Sequence, residues 1–185
     1  MLDLLDLVSF FVFVTGIVLF VRFFVFNPYT VVGSSMEPMF EQGDFIIVDK
    51  VTPRVGDLHR GDVVVFVPKW KDIPFIKRIV GLPGETVKIK NGEVSVCNES
   101  GACELLSEVY LPEGLETETK CKIDEFVVPA ESKGYFVLGD NRPYSTDSRC
   151  CFGYGCFEGA NYLVYPEDMI GKVALRLYPN IQTHR

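Results

Sequence analysis

The chain has 185 residues and a net charge of −7 at pH 7. This length suits one globular domain with its own hydrophobic core. Acidic residues are concentrated in residues 97–125, which hold eight of them, and no basic cluster occurs anywhere in the sequence. Nucleic acid is therefore excluded as a partner, and we interpret the acidic segment as a solvated excursion.

The first predicted element is an apolar helix. Residues 7–21 contain no charge, and tolerating Arg22 extends the run to Phe26, which gives twenty residues or about 30 Å of helix. The segment lacks the basic start and the small-x-small exit of a cleavable secretory signal. We therefore expect residues 1–27 to be a retained, single-pass membrane anchor. Six cysteines indicate an oxidising compartment and place residues 28–185 on the extracytoplasmic side.

After Asn27-Pro28 the pattern changes to short β-type segments separated by turn residues. The predicted strands are 29–32, 45–51, 62–67, 74–80, 86–90, 93–96, 126–128, 135–138 and 172–178. Asn91-Gly92 predicts a tight hairpin between two of them. The sequence thus predicts a mainly β fold after the helix, with two excursions from the main sheet, a polar section at 97–125 and a cysteine-rich loop at 150–165.

Ser35 is the candidate nucleophile because it lies nine residues beyond the apolar run, in Gly33-Ser-Ser-Met-Glu-Pro38. A serine hydroxyl needs a base to take its proton. The two histidines, His59 and His184, lie in polar surroundings and are poor members of a Ser-His-Asp triad. A lysine base is the natural substitute.

Lys77 is the candidate base. A lysine acts as a base only when it is neutral, so its pKa must fall from about 10.4, and burial among apolar groups lowers it. On a strand, Phe75, Lys77 and Ile79 share one face, which would place the amine between two bulky apolar side chains. From these residues alone, an exposed edge strand carrying Lys77 and Arg78 remains the alternative.

Four segments, in order, resemble the bacterial type I signal peptidases, also called leader peptidases. They are Arg22 to Met39 around Gly33-Ser-Ser-Met, Gly61-Asp-Val-Val-Val-Phe66, Phe75-Ile-Lys-Arg-Ile-Val-Gly-Leu-Pro-Gly-Glu85 and Gly139-Asp-Asn-Arg-Pro-Tyr-Ser-Thr-Asp-Ser-Arg149. The resemblance implies that Ser35 is the nucleophile, that Lys77 is the general base and that Ser145 orients the lysine amine. The residues that match polar supports of the site are Asp140, Arg142, Asp147 and Arg149.

The resemblance implies one transmembrane helix followed by a β-rich catalytic core, with a smaller β excursion inserted near residues 97–125. It also implies the activity: a serine endopeptidase that removes signal peptides from exported preproteins after small-x-small sites, at the outer surface of the cytoplasmic membrane. The expected partners are preprotein signal peptides and the lipid bilayer, the expected state is a monomer, and neither metal nor cofactor is implied. Gly33 stands where some members have a serine that assists the oxyanion hole, so that hole would depend on the Ser35 N–H. The implied pocket residues are Tyr29, Val31, Val32, Met36, Ile46, Phe75 and Ile76.

The cysteine-rich loop after Arg149 is longer than is usual in the family, and the sequence assigns it no function. Some family members have a disulfide with the spacing of Cys97 and Cys103, so we expect that bond here. Adjacent Cys150 and Cys151 rarely bond each other; we expect one to pair with Cys156 and the other with Cys121 or with no cysteine. Two alternatives to the peptidase are a repressor-type Ser/Lys self-cleaving peptidase and a catalytically idle, membrane-anchored binding module.

Overall fold

The computed structural model describes residues 4–156, 160–178 and 182–183. Within them, eleven strands form two antiparallel sheets, which confirms the predicted mainly β fold. The helices are α1 (Leu4–Phe20) and the single turn α2 (Thr52–Val55). The strands are β1 (Phe26–Thr30), β2 (Phe45–Asp49), β3 (Val63–Phe66), β4 (Phe75–Gly81), β5 (Glu85–Lys90), β6 (Glu93–Cys97), β7 (Cys103–Leu105), β8 (Glu125–Val128), β9 (Phe136–Leu138), β10 (Met169–Tyr178) and β11 (Gln182–Thr183).

The larger sheet has the strand order β1-β2-β10-β3-β4-β9, and β11 pairs with β10. Its central strand β3 is buried on both faces, because Val63 and Val65 pack in one cluster while Val64 and Phe66 pack in another. The alternation of side chains along a strand produces this division. Two-sided burial explains why β3 reads as an unbroken apolar run.

The segment between β1 and β2 determines where the candidate nucleophile lies. Val31, Met36 and Phe40 from this segment are buried against side chains of β2, β3 and β10. The chain therefore crosses one face of the larger sheet after it leaves β1. This crossing carries Ser35 from the edge strand β1 to β4, although three strands separate β1 from β4 in the sheet.

The smaller sheet has the order β7-β6-β5-β8. Asn91 and Gly92 have φ values of 53° and 82° and connect β5 to β6, as the predicted hairpin requires. The sheet begins at Glu85, earlier than the excursion predicted at 97–125. Strand β7 was not predicted because its three residues are all exposed and lack an alternating pattern.

The N-terminal helix is shorter than predicted. Helix α1 ends at Phe20, a π-helical turn follows at Val21–Val25, and β1 begins at Phe26. Helical backbone thus extends to Val25, one residue short of the predicted end at Phe26. The prediction that strands begin after Pro28 is wrong, because the backbone from Phe26 onward pairs with β2. None of the helices in the described part of the chain has both the length and the apolar character needed to cross a membrane.

Candidate active site

Ser35 and Lys77, 42 residues apart in the sequence, meet at the end of this crossing segment. Lys77 Nζ donates hydrogen bonds to Ser35 Oγ and to the Ile76 carbonyl oxygen, each at 2.7 Å. The amine also lies 5.4 Å from the centre of the Phe75 ring. The structure thus brings together the two residues that the sequence singled out.

The environment of Lys77 favours its neutral form. The side chain is 3% exposed, and this burial lowers its pKa to about 8, against the opposing charges of Asp147 and Asp140. Burial disfavours an ammonium because its hydration is lost. Lys77 can therefore be neutral and accept a proton at pH values near 8 and above, well below the range in which an exposed lysine does so.

The two nearby carboxylates are each paired with an arginine. Asp140 accepts hydrogen bonds from Arg78 at 2.9 and 2.6 Å, and Asp147 accepts them from Arg149 at 2.9 and 2.8 Å. Burial alone would raise the pKa of Asp147, but the hydrogen bonds and charge of Arg149 outweigh it and lower that pKa. Both carboxylates are therefore neutralised locally, which limits their attraction for a protonated Lys77.

The loop after β9 fixes the backbone of the candidate nucleophile, Ser35. Asn141 donates from its backbone N to the Ser35 carbonyl oxygen at 3.1 Å and from Nδ2 to the Ser34 carbonyl oxygen at 2.9 Å. Gly139 packs so closely that a Cβ added there would collide with Ser35 O and with Ser145 Oγ. Sequence reasoning missed Asn141, although it lies inside the matched segment 139–149.

Ser145 is completely buried beside Gly139. Its Oγ makes no hydrogen bond of ordinary geometry within the described residues, although the hydroxyl lies close enough to the Asp147 carboxylate to help lower the pKa of that group. Lys120 Nζ donates to the Ser145 and Pro143 carbonyl oxygens at 2.5 and 3.2 Å and so holds the backbone of this loop. The orienting role of Ser145 toward Lys77 stays a prediction.

An open cleft passes Ser35 and Lys77. It consists of two adjoining cavities of about 130 and 240 Å³, which share Val32, Pro74, Phe75 and Ile76. The predicted pocket residues that line the cleft are Tyr29, Val31, Val32, Ile46, Phe75 and Ile76. Met36 does not line it: this side chain is 1% exposed and packs in the core beneath the cleft, where the crossing segment needs an apolar anchor.

The acidic segment is more than a solvated excursion. The Glu108 carboxylate accepts hydrogen bonds from both terminal nitrogens of Arg142, and Arg142 Nε donates to the Gly139 carbonyl oxygen at 3.1 Å. The ring of Tyr110 lies 4.0 Å from the guanidinium of Arg78. This segment therefore contacts two of the arginines around the site, which the sequence pattern did not indicate.

All six cysteines form disulfides: Cys97–Cys103, Cys121–Cys150 and Cys151–Cys156. The expected Cys97–Cys103 bond is confirmed. For the other four cysteines, the sequence left open whether Cys121 is bonded or free, and in the structure it is bonded to Cys150.

The two histidines are not part of the candidate site. The His59 side chain is 75% exposed and lies 4.0 Å from Asp62, while His184 lies outside the described residues.

The family model of "Signal peptidase, peptidase S26" matches residues 4–178 of this chain. The chain belongs to this signal peptidase family. It is 32% identical over 171 residues to signal peptidase I U of Bacillus subtilis (strain 168), covering 91% of this chain and 84% of that protein. It is 38% identical over 135 residues to signal peptidase I of Bacillus licheniformis, covering 71% and 70% of the two chains.

Among solved structures, a signal peptidase I from Enterococcus faecalis V583 matches 64% of this chain and 97% of its own, with a TM-score of 0.45 and 27% identity. The predicted membership of the bacterial type I signal peptidases is confirmed by the family match and by the two Bacillus relatives. The protein is accordingly a hydrolase of the signal peptidase I type. Its family sets aside the repressor-type alternative.

Proposed function

We propose that the protein is a membrane-attached serine endopeptidase that removes signal peptides from exported preproteins, with Ser35 as nucleophile and Lys77 as general base. The observation that carries this proposal is the 2.7 Å hydrogen bond between Lys77 Nζ and Ser35 Oγ. A buried lysine with a lowered pKa, in contact with a serine hydroxyl, meets the two requirements of a nucleophile and its base.

In the proposed reaction, Ser35 Oγ attacks the carbonyl carbon of the scissile peptide bond while its proton passes to Lys77 Nζ. The tetrahedral intermediate collapses, the C–N bond breaks, and the protonated Lys77 gives its proton to the departing amine. Neutral Lys77 then takes a proton from the water that attacks the acyl ester. It returns this proton to Ser35 Oγ as the acid product leaves.

Backbone and side-chain groups around the dyad would support these steps. The Ser35 N–H is the proposed donor to the oxyanion, since Gly33 carries no side chain that could assist. Ser145, whose buried hydroxyl makes no hydrogen bond of ordinary geometry within the described residues, is the proposed orienting group for the Lys77 amine. We also propose that four ion-paired residues position the site through the contacts described above: Asp140, Arg142, Asp147 and Arg149.

The shape of the cleft supports the proposed small-x-small specificity. Strand β9 pairs with β4 from Arg78 onward. Residues 75–77 of β4 therefore have no partner among the described strands on the edge that faces β9. An extended substrate could add there as a strand and direct alternate side chains into the apolar cavities. Because Ile46, Phe75 and Ile76 form the walls of the first cavity, about 130 Å³ in size, small side chains would fit best.

We also propose that the N-terminal segment holds the enzyme at the cytoplasmic membrane, with residues 28–185 on the extracytoplasmic side as a monomer. No side chain of α1 is buried in the protein, and an exposed apolar helix of this kind favours a lipid environment. The three disulfides suit an oxidising compartment.

The test is cleavage of a purified preprotein with an Ala-x-Ala site by the full chain in detergent, with the cut mapped by mass spectrometry. We expect one cut directly after the second alanine, and none with Ser35→Ala. Binding of the preprotein without turnover would favour the idle binding module instead.

A further inference from the structure

The cysteine-rich loop after Arg149, for which the sequence offered no function, lies behind the substrate cleft. Residues Cys150–Cys156, here called the disulfide loop, carry two bonds: Cys151–Cys156 closes the loop, and Cys121–Cys150 ties its start to the acidic segment. Between the bonded cysteines, Phe152 is only 1% exposed. The loop therefore inserts an aromatic ring into the core.

The ring of Phe152 packs against the wall of the cleft. Its centre lies 6.3 Å from that of Phe75, with the ring planes at 77°, and 5.3 Å from that of Phe66, at 68°. Both are edge-to-face contacts in the favourable range for aromatic pairs. Phe75 lines both cavities of the cleft, so Phe152 directly supports a residue that substrate would touch.

The next residue contacts a second part of the cleft. A Cβ added at Gly153 would lie 2.9 Å from Thr146 Cγ2, and Thr146 lines the cavity that contains Ser35 and Lys77. The disulfide loop thus packs against two lining residues. A shift of the loop would alter the shape of the cleft without touching Ser35 or Lys77.

The backbone of the disulfide loop needs outside support. Cys151 and Phe152 have φ values of 49° and 55°, a left-handed conformation that is unfavourable for residues other than glycine. The Asp147 carbonyl oxygen accepts hydrogen bonds from the Cys150 and Phe152 N–H groups at 3.2 and 3.0 Å. These bonds and the two disulfides hold the loop in the conformation that points Phe152 at Phe75.

We propose that the disulfide loop sets the width of the substrate cleft and that Phe152 is the positioning residue through which it acts. By holding the Phe75 ring in the wall of the cleft, Phe152 restricts the residue before the cut to a small side chain. Without this support, the Phe75 ring could move away from the cleft into the space behind it, and the cleft would admit a β-branched side chain. This inference rests on the proposed signal peptidase reaction.

The experiment compares two preproteins that differ only in having alanine or valine as the last residue before the cut. Full-length enzyme in detergent is assayed as wild type, as Phe152→Leu and as the loop variant Cys151→Ala/Cys156→Ala. The matched control is Cys97→Ala/Cys103→Ala, which removes a disulfide of the smaller sheet. Near-UV circular dichroism reports whether each variant is folded.

We measure kcat/KM for the valine substrate divided by kcat/KM for the alanine substrate. In Phe152→Leu this ratio should rise about tenfold or more, because about one methylene group contributes that much discrimination in an apolar pocket. The loop variant should change in the same direction, and the control should keep the wild-type ratio. On the alanine substrate, kcat should stay within about threefold, because the dyad is untouched.

An unchanged ratio in folded Phe152→Leu, or an equal rise in the control, would overturn the inference. So would failure of both Phe152→Leu and the loop variant to fold, since the loop would then be inseparable from the core. If wild-type enzyme fails to cut the alanine substrate, the proposed function itself is wrong. An intact wild-type reaction with an unchanged ratio refutes the inference alone.

Discussion

Glu108 and Arg142, 34 residues apart in the sequence, form a two-pronged ion pair in which the arginine is completely buried. Arg142 Nε also donates to the Gly139 carbonyl oxygen, and one of its terminal nitrogens donates to Thr117 Oγ1. The acidic segment thus braces the loop that carries Ser145. This ion pair connects the acidic segment to the candidate active site on the larger sheet.

Glu108→Gln should destabilise the fold by about 3 kcal/mol, because it leaves the buried Arg142 charge without its partner. Urea unfolding of the full chain in detergent measures this loss. Glu113→Gln is the matched control, since Glu113 is an exposed acid of the same segment, and it should change stability by no more than about 0.5 kcal/mol. Equal effects of the two substitutions would show that the ion pair contributes nothing.

Gly139→Ala should lower the rate of preprotein cleavage about a hundredfold. The added Cβ would collide with Ser35 O and Ser145 Oγ, and a displacement of about 1 Å at a nucleophile costs about that factor. The control is Gly16→Ala, where the described structure leaves open space around the new Cβ. Steady-state kinetics should show a lower kcat for Gly139→Ala and an unchanged kcat for Gly16→Ala. A wild-type kcat in Gly139→Ala would refute the tight packing.

The sequence predicted the elements whose signals are local. Asn91-Gly92 specifies its own turn, and the alternating apolar residues on either side specify the paired strands, so β5 and β6 were found within a residue or two of their bounds. The contact between Ser35 and Lys77 was also predictable, because each residue lies in a recognisable motif.

Long-range contacts were not predictable in the same way. Eight acids lie in residues 97–125, and only the tertiary fold determines that Glu108 is the one that meets Arg142. The family resemblance placed Met36 in the pocket, but the crossing segment directs its side chain into the core. Phe152 gave no signal, since its burial depends on a left-handed loop held by disulfides.

Truncation of the N-terminal segment should separate folding from membrane attachment. Deleting residues 2–20 removes α1 and leaves β1 intact, so the protein should fold and cleave preprotein, with activity that depends on detergent or lipid. Deleting residues 2–28 also removes the first three residues that pair with β2, Phe26 to Pro28, and should abolish activity. Full activity of the shorter truncation without any amphiphile would contradict the membrane-attached proposal.

Lys77→Met should stabilise the protein near pH 7, because burial of the amine favours its neutral form. The pKa of Lys77 falls from its ordinary 10.5 to about 8 in the folded protein, so the unfolded chain binds the proton more tightly. Wild type is therefore destabilised by about 3 kcal/mol below pH 8. This cost disappears as the pH rises from 8 to 10.5. Urea unfolding at pH 7 and 10.5 should show the advantage of Lys77→Met only at the lower pH.

The pH dependence of kcat/KM tests the dyad most directly. With the full chain in detergent and an Ala-x-Ala preprotein, activity should rise with pH along a limb whose midpoint is near 8, the pKa of the buried Lys77 amine. Lys77→Arg should be inactive throughout, because a guanidinium keeps its proton at these pH values. Activity in Lys77→Arg, or a limb near pH 6.5 that disappears in His59→Gln, would contradict the assignment of Lys77 as the base.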